Sequence, residues 1–422
     1  MGGEDRVKHM TTAHERYDAL RALGLKLDLT RGQPGDEDFD LSNPMLTVVD
    51  DKSLVTSSGV SIRNYPGGVA GLKEARELFA PLIGVLPEEV LVGNNSSLAL
   101  ISNTLMWAML KGVPGSPAPW SKAETKFVVT VPGYDRHFLM LERLGIGMIP
   151  VEMTAEGPDI AAVERAVASD PAVKGLLFVP TYSNPTGDTT TQAVAERLAT
   201  MHTAAPDFTI FADDAYAVHH LDDTPPPHPD LLGAAKRAGH PTRVILFAST
   251  SKITFAGAGI GFLAASREML AWLTDLLSTQ MITPNKIEQY RHVLFLSRYP
   301  GGIPGIMRAH ACLLAPKFNA VEEVLQRELG REGLAHWNTP KGGYFISLDT
   351  SLPCASRVVE LAKQAGVALT PAGATYPFGK DRHDRNIRIS PTRPPVAQVH
   401  RAMEVVAVCI QLASEEARQT KR

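Results

Sequence analysis

Five largely apolar runs of strand length, each broken at its C-terminal end by small, polar or turn-forming residues, constrain this chain more than anything else in it. Residues 90–92 run into Gly93-Asn94-Asn95-Ser96-Ser97, and residues 126–131 into Pro132-Gly133-Tyr134. Residues 175–179 lead to Pro180-Thr181-Tyr182-Ser183-Asn184-Pro185-Thr186-Gly187, and residues 208–212 to Asp213-Asp214-Ala215-Tyr216. Residues 244–248 end at Ser249-Thr250-Ser251-Lys252, and a further apolar run follows at 262–265. Continuous apolar runs of this length read as strands buried on both faces, the habit of parallel sheets covered by helices. Open parallel sheets bind ligands at the carboxyl ends of their strands, so chemistry is expected where these runs break. The expected fold class is α/β.

At 422 residues the chain is too long for one compact core, and two domains are expected. Helical spacing is expected over 11–25, 72–82 and 282–296. From about Ile303 the pattern changes to a smaller α/β unit, with a helix over 307–329, a strand over 342–348, a helix over 356–365, and strands near Ala368 and over 386–390. Charged residues make up 21% and the formal net charge is −3, which leaves no basic excess for a nucleic-acid surface. The longest apolar stretches read as strand-sized, so no membrane span is expected. Cys312, Cys354 and Cys409 are scattered, with neither a paired framework nor metal-ligand spacing, as in a reducing cytoplasm. The first ten residues carry charges and no apolar core of a secretion signal.

Several of the strand ends carry side chains with chemical options. Lys252, beside apolar strands and wrapped in hydroxyls and glycines, can be held partly dry; this lowers its pKa and makes the amine a usable nucleophile. A nucleophilic amine suits a carbonyl cofactor, and pyridoxal phosphate is the first candidate. Ser96 and Ser97, between a strand and a helix, either cap the helix or join its N-terminus in cradling a phosphate. Tyr134, lifted by Pro-Gly, can stack on a flat ring. Asn184 is a neutral donor at a turn tip. Asp213 and Asp214 should face opposite ways; one of them either sits under a pyridine nitrogen or caps the next helix. Arg31-Gly32 places a cation beside exposed backbone, suited to a carboxylate or simply to the surface. Tyr65, in the turn Asn64-Tyr65-Pro66-Gly67-Gly68, either presents its hydroxyl to a ligand or packs.

The ordered set resembles the fold-type-I pyridoxal phosphate aminotransferases of class I/II over about Leu27 to Ser390. Asn184-Pro185-Thr186-Gly187 comes first, then Asp213-Asp214-Ala215-Tyr216. Ser249-Thr250-Ser251-Lys252 places its lysine 39 residues after Asp213, and Gly342-Gly343-Tyr344-Phe345 and Ile387-Arg388-Ile389-Ser390 close the series. The resemblance implies a large domain with a mostly parallel seven-stranded sheet between helices (51–300), a smaller C-terminal α/β domain (301–422), and an N-terminal segment (1–50) packing with the small domain. Lys252 is then the covalent anchor and proton carrier, Asp213 the partner of the pyridine nitrogen, and Asn184 with Tyr216 the donors to the phenolic oxygen. Tyr134 is the stacking ring, and Ser96, Ser97 and Ser249 form the phosphate cradle with Ser251 beside them. Tyr65 reaches the phosphate of the neighbouring subunit in a homodimer with shared sites. Arg388 takes the substrate α-carboxylate.

One departure stands out. Many relatives carry an arginine shortly after the lysine, in Gly-x-Arg-x-Gly, and here the stretch reads Gly257-Ala258-Gly259-Ile260-Gly261. Lys286 or a partner's side chain is the substitute considered. The form of this stretch, with Leu29-Thr30-Arg31-Gly32-Gln33-Pro34, is similar to a divergent bacterial aspartate aminotransferase subgroup often labelled MocR-type. That implies amino transfer from aspartate or glutamate to a 2-oxo acid such as 2-oxoglutarate, by a ping-pong mechanism, with Arg31 reading the distal carboxylate. Other pyridoxal phosphate reactions on the same scaffold, such as a β-lyase or a decarboxylase, remain open. A non-catalytic regulator carrying a winged-helix domain is disfavoured, since only about 25 residues precede the first family-like strand.

Overall fold

The computed structural model describes residues 12–420. Near its start, β1 (Leu27–Asp28) lies apart from the main sheet. The main sheet consists of β2 (Val90–Val92), β3 (Lys126–Val131), β4 (Gly147–Thr154), β5 (Gly157–Pro158), β6 (Val173–Phe178), β7 (Thr209–Asp213), β8 (Val244–Ser249) and β9 (Gly261–Ala264). Their order across the sheet is β2-β9-β8-β7-β6-β3-β4-β5. The run from β8 through β7, β6 and β3 to β4 is parallel, and β9 is antiparallel to both its neighbours. The seven strands expected are therefore joined by an eighth, the two-residue β5, paired antiparallel to the end of β4.

The apolar runs lack polar alternation because both faces of this sheet are covered. In β8, Val244, Leu246 and Ala248 enter one core, while Ile245 and Phe247 enter the core on the opposite face. In β7, Ile210 and Ala212 take the first side and Phe211 the second. This parity decides where the residues beyond the strand ends point.

A third core lies towards the C-terminus. β10 (Ala335–Trp337), β11 (Ile346–Thr350) and β13 (Asn386–Ile389) form an antiparallel sheet, and β12 (Val367–Ala368) pairs in parallel with β1. Tyr17 and Leu20 of the helix Ala13–Arg21 bury themselves in this core, together with the helices Ala355–Gln364 and Val396–Thr420. The last of these corrects the expectation that apolar stretches are only strand-sized. By length and composition it could cross a membrane, but residues 405–410 are all buried in the protein core, as an all-round apolar core helix should be.

The helix Gly302–Leu329 begins five residues before its expected start, with Pro304 in the first turn, where its missing N–H costs nothing. The helix expected from 282 begins instead at Lys286, because Asn285 caps it by accepting from Glu288 N at 3.1 Å.

Candidate active site

Asp213 shares the parity of Phe211, and its side chain turns to the face covered by the helix Asp135–Arg143. There Asp213 Oδ2 lies 2.9 Å from His137 Nε2, with both residues 2% exposed. Asp213 Oδ1 is buried and has no hydrogen-bond partner. Asp214 takes the opposite face, 2.5 Å from His228 Nε2. The expectation that the two aspartates diverge describes this geometry. One histidine in an amphipathic helix carries no sequence signal of its own, so His137 emerges only from the packing.

Lys252 sits just past β8 on a tightly held turn. Thr250 Oγ1 accepts from Ile260 N at 2.8 Å, and His292 Nε2 lies 2.9 Å from both Thr250 Oγ1 and Thr254 Oγ1. His310 Nε2 faces the Ile253 carbonyl at 3.0 Å, and its Nδ1 faces Asp38 Oδ1 at 2.9 Å. The Lys252 amine lies 4.9 Å from the centre of the Tyr216 ring and 5.8 Å from that of Tyr344. Burial pulls its pKa below that of an ordinary lysine, with the charge of Asp213 opposing. Burial, with Tyr134 and Asp213 adding to it, pushes the Tyr216 phenol well up, and burial with Asp213 pushes Tyr134 up to about 12. Both phenols therefore stay protonated and can donate.

Lys252, Asp213, Tyr216, Tyr134, Asn184, Ser96, Ser97, Ser249 and Ser251 all line one cavity of about 160 Å³. Ser96 caps the helix Ser97–Lys111 by accepting from Ala99 N at 3.3 Å, so this hydroxyl has the capping role that the sequence left open. The helix N-terminus still opens onto the cavity, which Ser97 and Leu98 line. The missing arginine has a steric explanation. A Cβ at Gly259 would lie 3.0 Å from the backbone of Ser251, and one at Gly261 would lie 2.5 Å from Ser96 O. The backbone therefore runs tightly against Ser251 at 259 and too close to Ser96 for any Cβ at 261.

Lys286 does not substitute for the arginine. Its ammonium is buried and donates to the carbonyls of Ser61, Asn64 and Pro66, which uses all three of its N–H bonds. It therefore ties down the turn that carries Tyr65, whose side chain is 65% exposed and lines neither this cavity nor the next. Lys252 is the one cation among the described residues lining the smaller cavity.

A larger cavity of about 550 Å³ adjoins it, sharing Tyr134, Asn184, Tyr216 and Lys252. Arg388, Arg31 and Gly32 line it, and so does Arg136, which no sequence motif marks. Arg388 is 7% exposed and lies 5.0 Å from the centre of the Phe345 ring. Its Nη1 donates to Asp135 Oδ1 at 3.0 Å and to Asn184 Oδ1 at 3.3 Å. With its oxygen held by Arg388, Asn184 keeps its NH₂ group for donation. Arg31 is exposed.

The model of the family described as aspartate amino-transferase matches residues 2–422. The chain belongs to the aspartate aminotransferase family. An aspartate aminotransferase of Corynebacterium glutamicum is 46% identical over 405 residues, which is 95% of this chain and 92% of that protein. The crystal structure of an aspartate transaminase from the same species superposes with a TM-score of 0.93 at 45% identity, covering 96% of this chain and 95% of that one. An α-aminoadipate aminotransferase of Thermus thermophilus, at 21% identity and a TM-score of 0.75 over 99% and 98% of the chains, shares the fold. This family member is an aminotransferase, in a family whose enzymes use pyridoxal 5′-phosphate. The residues present fit that group. An orphaned buried carboxylate oxygen, a partly dry amine, protonated phenols and an open helix N-terminus are the partners that a pyridinium, an aldehyde, a phenolate and a phosphate require.

Proposed function

We propose that the chain transfers the amino group of a dicarboxylic L-amino acid, aspartate or glutamate, to a 2-oxo acid such as 2-oxoglutarate in two alternating half-reactions. The observation that carries this reading is the unpartnered Asp213 Oδ1, buried in the cavity that Lys252 also lines. When bound, pyridoxal phosphate supplies an electron sink for the pair left at the substrate α-carbon.

The chain's residues divide the remaining work. Asp213, fixed by His137, supplies the negative charge that keeps the ring nitrogen protonated. Asn184 and Tyr216 would donate to the cofactor's phenolic oxygen, and Tyr134 would offer its ring a flat partner. The N-terminus of the helix Ser97–Lys111, with Ser97, Ser249 and Ser251, would hold the phosphate. Lys252 would hold the cofactor's aldehyde and move a proton at the substrate α-carbon, a task for which a lowered pKa suits it. Arg388 takes the α-carboxylate, with Phe345 and Asn184 fixing its plane. Arg31, in the larger cavity, takes the distal carboxylate.

We also assign a homodimer in which Tyr65 completes the partner's phosphate seat. Its exposed ring, held on a turn that Lys286 clamps, and the absence of an arginine at 259 support this. The three free cysteines, two of them buried, fit a cytoplasmic setting. The test of the substrate assignment is Arg31→Ala assayed with aspartate and with alanine. The KM for aspartate should rise at least about tenfold, as for a lost charge-assisted hydrogen bond, and that for alanine should hold. Equal losses on both donors would exclude Arg31 as the reader of the distal carboxylate.

A further inference from the structure

Arg388, which the reading above makes the seat of the substrate α-carboxylate, already holds a carboxylate. Its Nη1 bonds Asp135 Oδ1 at 3.0 Å and Asn184 Oδ1 at 3.3 Å, and its Nε reaches Thr370 Oγ1 at 3.4 Å. One guanidinium nitrogen of this kind carries two N–H bonds, so Asp135 and Asn184 together use up Nη1. An incoming carboxylate that needs Nη1 and Nη2 for a bidentate pair must displace one of them.

Asp135 is the one able to leave. Its side chain is 27% exposed, whereas Asn184 is 2% exposed. The pair also joins two parts of the fold, since Asp135 follows β3 of the main sheet and Arg388 belongs to β13 of the small one. An acidic residue in a helix's first turn has an ordinary role in offsetting the macrodipole, but that role does not require an arginine partner from another sheet.

We propose that Asp135 is a placeholder carboxylate. It occupies Arg388 while no substrate is bound, yields it to the α-carboxylate of the amino acid or 2-oxo acid, and retakes it as product leaves. Arg388 thereby keeps an anionic partner in both states, so a buried guanidinium is never left without countercharge. The cost of displacing Asp135 is common to every substrate of both half-reactions, and it sets how tightly the site holds any α-carboxylate.

The proposal rests on Arg388 being that seat, and the test separates the two. Asp135→Asn keeps the shape and one hydrogen bond to Nη1 but removes the charge. In the holoenzyme, the KM values for aspartate and for 2-oxoglutarate should fall together by roughly fivefold, the upper range for a partly exposed ion pair. The dissociation constant of succinate, an unreactive dicarboxylate, should fall by the same factor in titration calorimetry. Asp135→Ala should move all three in the same direction. An aspartate that only orients Arg388 would raise them and lower kcat, and that result, or no change, overturns the placeholder. Arg388→Ala is measured alongside. If it weakens succinate binding, the seat stands whatever Asp135 does; if it leaves succinate binding unaltered, the seat and the placeholder fall together.

Discussion

Replacing Asp213 by asparagine removes one charge from the most enclosed part of the site while leaving its shape intact. Asp213 and His137 are each 2% exposed, and the 2.9 Å bond between them can persist with the amide oxygen as acceptor. The amide NH₂ then occupies the place of the orphan Oδ1, so a donor faces the cavity where an anion stood. A pyridine nitrogen opposite that donor has no reason to stay protonated. Removing one partner of a buried charge pair costs about 3–5 kcal/mol. At about 1.4 kcal/mol per tenfold, kcat should therefore fall at least a hundredfold. The assay is single-turnover loss of amino donor at saturating pyridoxal phosphate, which separates slower chemistry from weaker cofactor binding. A variant within tenfold of the wild-type rate under those conditions would refute the claim that the charge at Asp213, rather than its shape, drives the reaction.

Two further outcomes follow from the geometry. Gly261→Ala puts a methyl group 2.5 Å from Ser96 O, so the cradle must shift; the dissociation constant for pyridoxal phosphate, read by absorbance titration, should rise about tenfold or more, and an unchanged constant would show that the cradle tolerates it. In cofactor-free protein, burial of the Lys252 amine costs stability fully below its lowered folded pKa, and the cost is relieved as pH rises from there towards the ordinary 10.5. Urea denaturation should therefore show wild type gaining on Lys252→Met between pH 7 and about pH 10; parallel pH slopes for the two proteins would contradict a lowered pKa for the amine.

What the sequence disclosed, and what it hid, follows from how each residue earns its place. Strand ends were legible because an apolar run breaking into Asp213 or Ser249 is a local pattern, and both residues lie where the strands deliver them. The supports were not legible. His137, His292 and His310 sit in helices whose spacing fits any amphipathic surface, and only the packing of those helices against the strand ends gives them partners. Asp135 was hidden in the same way, since an acidic first turn is common. Lys286 is the opposite case. Its charge was visible, but the three carbonyls that saturate it come from residues more than two hundred positions away. The absent arginine was legible as a departure, whereas the close approaches at Gly259 and Gly261 required the antiparallel pairing of β9 with β8 and with β2.

The residues 134–137 occupy barely more than one helical turn, yet each of them meets the reaction space: Tyr134 as its wall, Asp135 on Arg388, Arg136 at its mouth and His137 behind Asp213. Such crowding makes the turn a poor place for gradual change. A residue inserted between Tyr134 and Asp135 would turn the three helical side chains by about 100° relative to Tyr134 and disturb the whole set at once. Arg31 and Gly32 line the same larger cavity from a separate segment, and libraries intended to redirect this enzyme should be aimed there.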